Sequence, residues 1–323
     1  MKQVSFLIIL LLVVSCKKEV KNTKLEGSVF GTSYHVIYNS EENFEKQFDS
    51  LFYVINKSMS TYHVNSDISK LNRNESVDVD THFVNVFQAS QVIYKETDGA
   101  FDPTIGAVVN AWDFGPEGKI ANIDSLKIDS LMVSVGLNKV TLLDTKITKP
   151  AGTFLDFNAI AKGYGVDVIG EFLESRNVKN YLVEIGGEIR AKGKNVEKGT
   201  PWKVGIETPN FDEQQAILEA VEVNDEAMAT SGTYRKFKVD SLGNRYAHII
   251  DTKTGYPSKT NVLSVSVIAK DCMTADAYAT AFKAMGIEKV TAFLKSHPEL
   301  KVFFIFENDK KELETLSLNN FPK

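Results

Sequence analysis

Helix-spaced and strand-like runs are interspersed along this chain without a regular order, and that irregularity constrains the fold more than any single motif. Phe44, Phe48, Leu51, Phe52, Ile55 and Met59 recur at helical spacing, so residues 42–59 are expected to form an amphipathic helix. Phe83, Phe87 and Ile93 predict another across 81–96, and helices are also expected over 159–175, 273–285 and 288–297, the last ending before Pro298. Short β-rich runs fall at 33–38, 181–185, 202–207, 216–223, 262–268 and 301–306, and residues 123–150 read as a short helix followed by strands. A regular βαβ succession would predict a parallel sheet. Here several β runs are close enough to be antiparallel neighbours, so the expected class is α+β, with mixed or antiparallel sheets and packed helices. Residues 99–118 lack periodicity and read as a long ordered loop of the type that carries function. No internal repeat, low-complexity tract or strong linker interrupts 27–323, which reads as one compact unit.

With 323 residues and 43% hydrophobic content, the chain can bury a large core. Its formal net charge of -5, without a long basic run, argues against a nucleic-acid partner. The N-terminus reads as a targeting segment. Lys2 precedes an apolar run over 6–14 that is too short to span a bilayer but fits the core of a secretory signal. Val13-Val14-Ser15-Cys16 resembles a bacterial lipobox. The expected organisation is a lipoprotein signal peptide over 1–15, a polar, lysine-rich tether over 16–26 lipidated at Cys16, and a domain over 27–323. That places the domain on the periplasmic side of a bacterial membrane. The other cysteine, Cys272, then has no disulfide partner and reads as a small buried filler.

Several segments could carry chemistry. Between Asp156 and Lys162 a carboxylate, a small-residue turn and a lysine precede a helix-spaced run, an arrangement suited to an anion with a metal. An N-capped helix with a solvated lysine fits equally well. Asp276 and Thr280 stand at i,i+4, so both oxygen side chains share one helix face and suit a hard cation such as Mg²⁺; a cap and a solvated threonine would look the same. The loop from Gly99 to Gly106 could present Phe101 to a ring and Asp102 to a polar edge, or be a structural turn. His248 could do proton chemistry near neutral pH or be a structural histidine. Ala229 to Tyr234 reads as a small polar loop that could face a substrate. Gly186-Gly187 permits close backbone approach. No Gly-x-Ser-x-Gly, Gly-x-Gly-x-x-Gly or Walker loop is present, which removes three common site classes.

In order along the chain stand Phe30-Gly31-Thr32, Met59-Ser60-Thr61-Tyr62, Phe101-Asp102-Pro103-Thr104, Trp112-Asp113-Phe114-Gly115, Asp156 to Gly163, Gly186-Gly187-Glu188, Ala229-Thr230-Ser231-Gly232, His248 to Pro257 and Ala275 to Thr280. This ordered set resembles the ApbE-type FAD:protein FMN transferases from about Gly27 onward. The resemblance implies a T-fold-like compact unit. It also implies Mg²⁺-dependent transfer of FMN from FAD onto a threonine hydroxyl of a target flavoprotein, with release of AMP. FAD contacts would fall at Phe30, Tyr62, Ala100, Phe101, Asp102, Asp156, Lys162 and Ile250. The metal would be held by the Ala159 carbonyl, Asp276 and Thr280. His248 and Asp251 are both candidates for the base. Some family members carry an acid where Ala279 stands, and the family's usual proline after the turn aspartate is Thr252 here. Acceptors would be membrane-bound respiratory flavoprotein subunits, which suits a lipid anchor. Two other readings share these residues: an FAD pyrophosphatase giving FMN and AMP, and a non-catalytic FAD-binding lipoprotein.

Overall fold

The computed structural model describes residues 21–118, 123–210, 216–233, 237–239 and 245–322. The apolar run over 6–14 and Cys16 lie outside them, as does Tyr234. The described chain opens with β1 (Thr23–Val29) and β2 (Thr32–Tyr38). The helices α1 (Glu45–Met59), α2 (Asp67–Asn72), α3 (Thr81–Glu96), α4 (Gly106–Ala111) and α5 (Ser125–Met132) follow, then a small hairpin of β3 (Thr141–Leu143) and β4 (Lys146–Thr148). Helix α6 (Ala161–Ser175) leads into β5 (Tyr181–Ile185), β6 (Glu188–Lys192), β7 (Lys194–Asn195), β8 (Thr200–Glu207), β9 (Ile217–Val223) and β10 (Ala227–Gly232). After β11 (Phe237–Val239), β12 (Arg245–Ala247) and β13 (Val262–Ala269) come α7 (Cys272–Met285), α8 (Ile287–Phe293), β14 (Lys301–Glu307) and β15 (Leu313–Leu318).

The frame is an eight-stranded sheet in the order β1-β2-β5-β6-β10-β13-β14-β15, and every pairing within it is antiparallel. The α+β expectation therefore holds. Strand β13 has all its residues buried, because both sheet faces are covered there. Val265 and Val267 join the larger core beneath the helices, whereas Ile268 points to a second core with Trp202, Val204 and Val221 of β8 and β9. The same period-two division places Val302 and Phe304 of β14 on the helix side and Phe303 and Ile305 on the other. Helix α1 closes one end of the sheet with Phe48 and Phe52, which pack with Phe44 against Tyr34 and Tyr38 of β2. Each such ring contributes about 1.5–3 kcal/mol of burial free energy.

Several boundaries differ from the sequence expectation. Residues 23–26, expected in the tether, belong to β1, an edge strand whose alternation is obscured by exposed polar side chains. The expected loop over 99–118 contains α4, too short for helical periodicity to register. Residues 229–232, expected as a loop, are the second half of β10, where Ala229 is buried and Thr230 hydrogen-bonds Ser266 of β13 at 2.8 Å. Helix α8 ends at Phe293, before the expected 297.

Candidate active site

The start of α6 and the face of α7 form the centre of the site. Gly163 has no side chain because none fits: a Cβ there would lie 2.3 Å from the Cys272 carbonyl oxygen and 2.8 Å from the Asp276 Cβ. This close approach lets the two helices exchange caps. The Asp276 carboxylate Oδ2 accepts from the Gly163 amide at 3.0 Å. In return, Asp167 of α6 accepts from the Cys272 and Met273 amides at 3.0 and 2.8 Å, satisfying donors that a helix start leaves open. Asp167 is fixed in turn by Arg190 at 2.9 Å.

The exchange has a chemical consequence. Gly163 is the third residue of α6, so its amide is one of the donors that a helix start leaves open, and Asp276 satisfies it; the next amide, Tyr164, bonds back to the Ile160 carbonyl at 3.0 Å. The Asp276 carboxylate, only 4% exposed, is thereby held at the start of α6, just past Ala159 in the sequence. One turn along α7, the Thr280 hydroxyl shares a 3.0 Å hydrogen bond with Ser231 of β10. Carboxylate, hydroxyl and main-chain carbonyl are hard oxygen donors that suit Mg²⁺. Among the described residues no cluster of three or more His, Cys, Asp or Glu side chains could hold a metal, so a cation here would rely on such a mixed set.

Lys162 is not a solvated lysine. Its ammonium pairs with Glu188 Oε1 at 2.5 Å, and the lysine side chain keeps 31% exposure while the glutamate keeps 4%. Burial opposes the lysine's charge, but the Glu188 and Asp276 carboxylates outweigh it and hold the ammonium above the usual lysine range. Glu188, more deeply buried, is pushed up to about 7 by loss of solvent, against the pull of Lys162. Asp276 is raised for the same reason, partly offset by Lys162 and the Gly163 amide.

Around this centre the structure assembles part of the expected FAD-contact set. The Phe30 ring lies on Gly165 of α6, where a Cβ would come within 2.7 Å, and meets Phe52 edge-on at 5.6 Å. Phe30 and Gly31 turn the β1–β2 hairpin at φ 50° and 74° and border an open cleft of about 520 Å³ with Thr32 and Asn56. Tyr62 is 63% exposed, close enough to Asp156 for that carboxylate to join burial in pushing its phenol up. The Asp156 amide donates to the Pro103 carbonyl at 2.8 Å, which ties the loop containing Ala100 and Asp102 to the approach of α6. Thr252, where the family usually has proline, donates its hydroxyl to the Gly99 carbonyl and joins the 251–255 turn to the same loop.

Other expected side chains point elsewhere. Phe101 is 2% exposed within the main core, so its ring anchors the loop instead of facing a ligand. Ile250 is buried with Val108, Ile128 and Val135. Asp102 accepts from the Thr104 amide and hydroxyl at 2.9 and 2.6 Å, and burial pushes its carboxyl up. Asp251 accepts from the Lys253 and Thr254 amides at 2.8 and 3.2 Å, so its carboxylate shapes its own turn. His248 packs edge-on against Phe114 with ring centroids 6.2 Å apart. Sequence reasoning assigned no role to Glu188 and did not single out Asp167 or Ser231. For Glu188 the available signal was a carboxylate directly after a glycine pair.

Comparison with known proteins gives the same frame. The ApbE family model matches residues 30–304. A Vibrio cholerae protein named FAD:protein FMN transferase is 36% identical over 97% of this chain and 96% of its own length. A Haemophilus influenzae protein of the same name is 37% identical over 91% of this chain and 89% of its own. Among solved structures, the flavin transferase ApbE from Vibrio cholerae superposes with a TM-score of 0.82 at 34% identity, covering 92% of this chain and 97% of that one. The apo flavinyl transferase ApbE of Pseudomonas stutzeri gives 0.83 at 28% identity, covering 93% and 96%. A family model matched over most of the chain, solved structures that superpose on it and relatives similar over nearly the whole length have one reading: the chain belongs to the ApbE family.

Proposed function

We propose that this protein is an FAD:protein FMN transferase that uses Mg²⁺, acts on a threonine of an acceptor flavoprotein and releases AMP. The observation that carries the metal part is the buried Asp276 carboxylate, held against the start of α6 and one helical turn from the Thr280 hydroxyl on α7. Ala159, Asp276 and Thr280 would hold the ion. Bound there, the cation supplies charge neutralisation on the pyrophosphate and on the departing AMP.

The residues of the chain do the rest. Lys162, held charged, offsets the second anionic phosphate. Phe30 borders the cleft at the β1–β2 turn; Tyr62, the main chain at Ala100 and Ile250, and the loops shaped by Asp102 and Asp156 would supply the remaining FAD contacts. The acceptor threonine Oγ forms a bond to the FMN phosphorus as the pyrophosphate P–O bond breaks, and AMP departs with that bridging oxygen. The threonine proton passes to a base. Of the two candidates, Asp251 already commits Oδ1 to the Lys253 and Thr254 amides of its own turn. His248 is the stronger candidate. We further propose that Cys16 carries a lipid and that the domain faces the periplasm, where membrane-bound respiratory flavoprotein subunits would be its acceptors.

The test is product analysis. Purified protein given FAD, Mg²⁺ and a threonine-bearing acceptor domain yields AMP and a covalently flavinylated acceptor, and chelation stops both. Free FMN and AMP with no labelled acceptor would identify a pyrophosphatase. Tight FAD binding with neither product would identify a binding protein.

A further inference from the structure

Glu188 is the most deeply buried charge partner in the site, and the transfer reaction described above assigns it nothing to do. Only 4% of its side chain is exposed. Its Oε1 takes the Lys162 ammonium at 2.5 Å, and its Oε2 is buried with no hydrogen-bond partner among the described residues. Burying a carboxylate with one oxygen unsatisfied is expensive, so the group is worth keeping only if its charge does something that a neutral side chain could not. Lys162 has a second acid within electrostatic reach, Asp276, yet the two form no ion pair. An ammonium on a long flexible stem, left without a partner, moves to the nearest carboxylate.

We propose that Glu188 is a positioning residue that holds Lys162 away from Asp276, so that the Asp276 carboxylate stays open to a metal ion and the ammonium stays open to a phosphate. This rests on the metal reading of Asp276, Thr280 and the Ala159 carbonyl. The geometry divides the work by depth. Glu188 is sealed beneath the site, at the first position of β6 after the Gly186-Gly187 turn, and cannot itself meet a ligand. Lys162, at 31% exposure, still faces outward. Without the Glu188 charge, the lysine would compete with the cation for Asp276, as an internal counter-ion.

The test measures metal binding without FAD and without turnover. Mn²⁺ is titrated by EPR or calorimetry into the wild-type protein and into Asp276→Asn, Glu188→Gln and the double variant Lys162→Met/Glu188→Gln. Thermal melts confirm that each is folded. Loss of binding in Asp276→Asn establishes the metal reading, and equal binding there would remove that reading together with this one. With it established, Glu188→Gln should weaken Mn²⁺ binding about tenfold. The double variant, which lacks the competing ammonium, should recover to near the wild-type value. A crystal structure of metal-free Glu188→Gln should show the Lys162 ammonium within ion-pair distance of Asp276. Unchanged Mn²⁺ affinity in Glu188→Gln, no recovery in the double variant, or Lys162 still in its wild-type position would overturn the proposal while leaving the metal site intact. Should Glu188→Gln fail to fold, Glu188→Asp withdraws the carboxylate by one methylene, and the same weakening and the same lysine movement are expected on a smaller scale.

Discussion

Asp276 and Lys283 stand seven residues apart on one face of α7, and burial opposes the charge of each. Asp276 has Lys162 nearby and the Gly163 amide on Oδ2. Asp276→Asn keeps the shape and can still accept that amide, but loses the only charged ligand proposed for the cation. Turnover of FAD should fall by orders of magnitude with a small change in melting temperature, read by AMP release and by thermal melt; wild-type turnover with wild-type Mg²⁺ dependence would remove the assignment. Asp276→Ala should also destabilise, by about 1–3 kcal/mol, because the buried amide loses its acceptor. Lys283 is 1% exposed, and among the described residues its ammonium has one side-chain partner, Thr260 at 3.0 Å. Burial pulls it down from 10.5 to about 8. A lysine lowered in the fold is a stability penalty that is complete below pH 8 and fades as pH rises toward 10.5, where the unfolded chain also loses the proton. The gap corresponds to about 3 kcal/mol. Lys283→Met should therefore raise the melting temperature most at neutral pH, less the lost Thr260 hydrogen bond, and the gain should shrink between pH 8 and 10.5. A pH-independent gain would mean that packing, not charge, is responsible.

The α6–α7 pair is where element packing and chemistry meet, and it explains what the sequence could and could not reveal. Asp276 and Thr280 on one helix face were legible from i,i+4 spacing, and Lys162 at a helix start from its motif. The exchange of caps was not, because Asp167 and Asp276 reach amides 105 and 113 residues away, and no local pattern records such a partner. Gly163 is a contact point between the two helices. Gly163→Ala would place a methyl 2.3 Å from the Cys272 carbonyl, an overlap that helix α6 can relieve only by moving off α7. We expect a loss of roughly 1–3 kcal/mol or more in a denaturant titration, together with lost metal binding. Unchanged stability would show that the close approach is not required. Helices α1, α3, α6 and α7 were readable because each carries a long apolar stripe. Strand β1 and helix α4 were missed because one is a polar sheet edge and the other spans too few residues to show a period.

At the scale of the molecule, the irregular order of elements becomes a single antiparallel sheet with helices on one face and the β8–β9 hairpin on the other. That arrangement brings residues distant in sequence to one centre: Lys162 and Glu188 from the α6–β6 segment, Asp276 and Thr280 from α7. The fold class was legible because antiparallel neighbours leave short spacings between β runs. The strand order was not, since β10 sits between β6 and β13 and pairs with both. The sheet begins at Thr23, so a lipid on Cys16 would leave six residues, 17–22, between anchor and fold. Six extended residues reach about 20 Å at most. An anchored domain would therefore stay close to the bilayer, and its acceptors would need their threonine near the membrane surface. No described helix is long and apolar enough to cross a membrane. Replacing Cys16 by Ser should move the protein from the membrane fraction to the soluble fraction or block its processing. It should leave FAD turnover on a soluble acceptor unchanged while labelling of a membrane-bound acceptor falls. Membrane association that persists in Cys16→Ser, with no acyl group on the wild-type protein by mass spectrometry, would rule the anchor out.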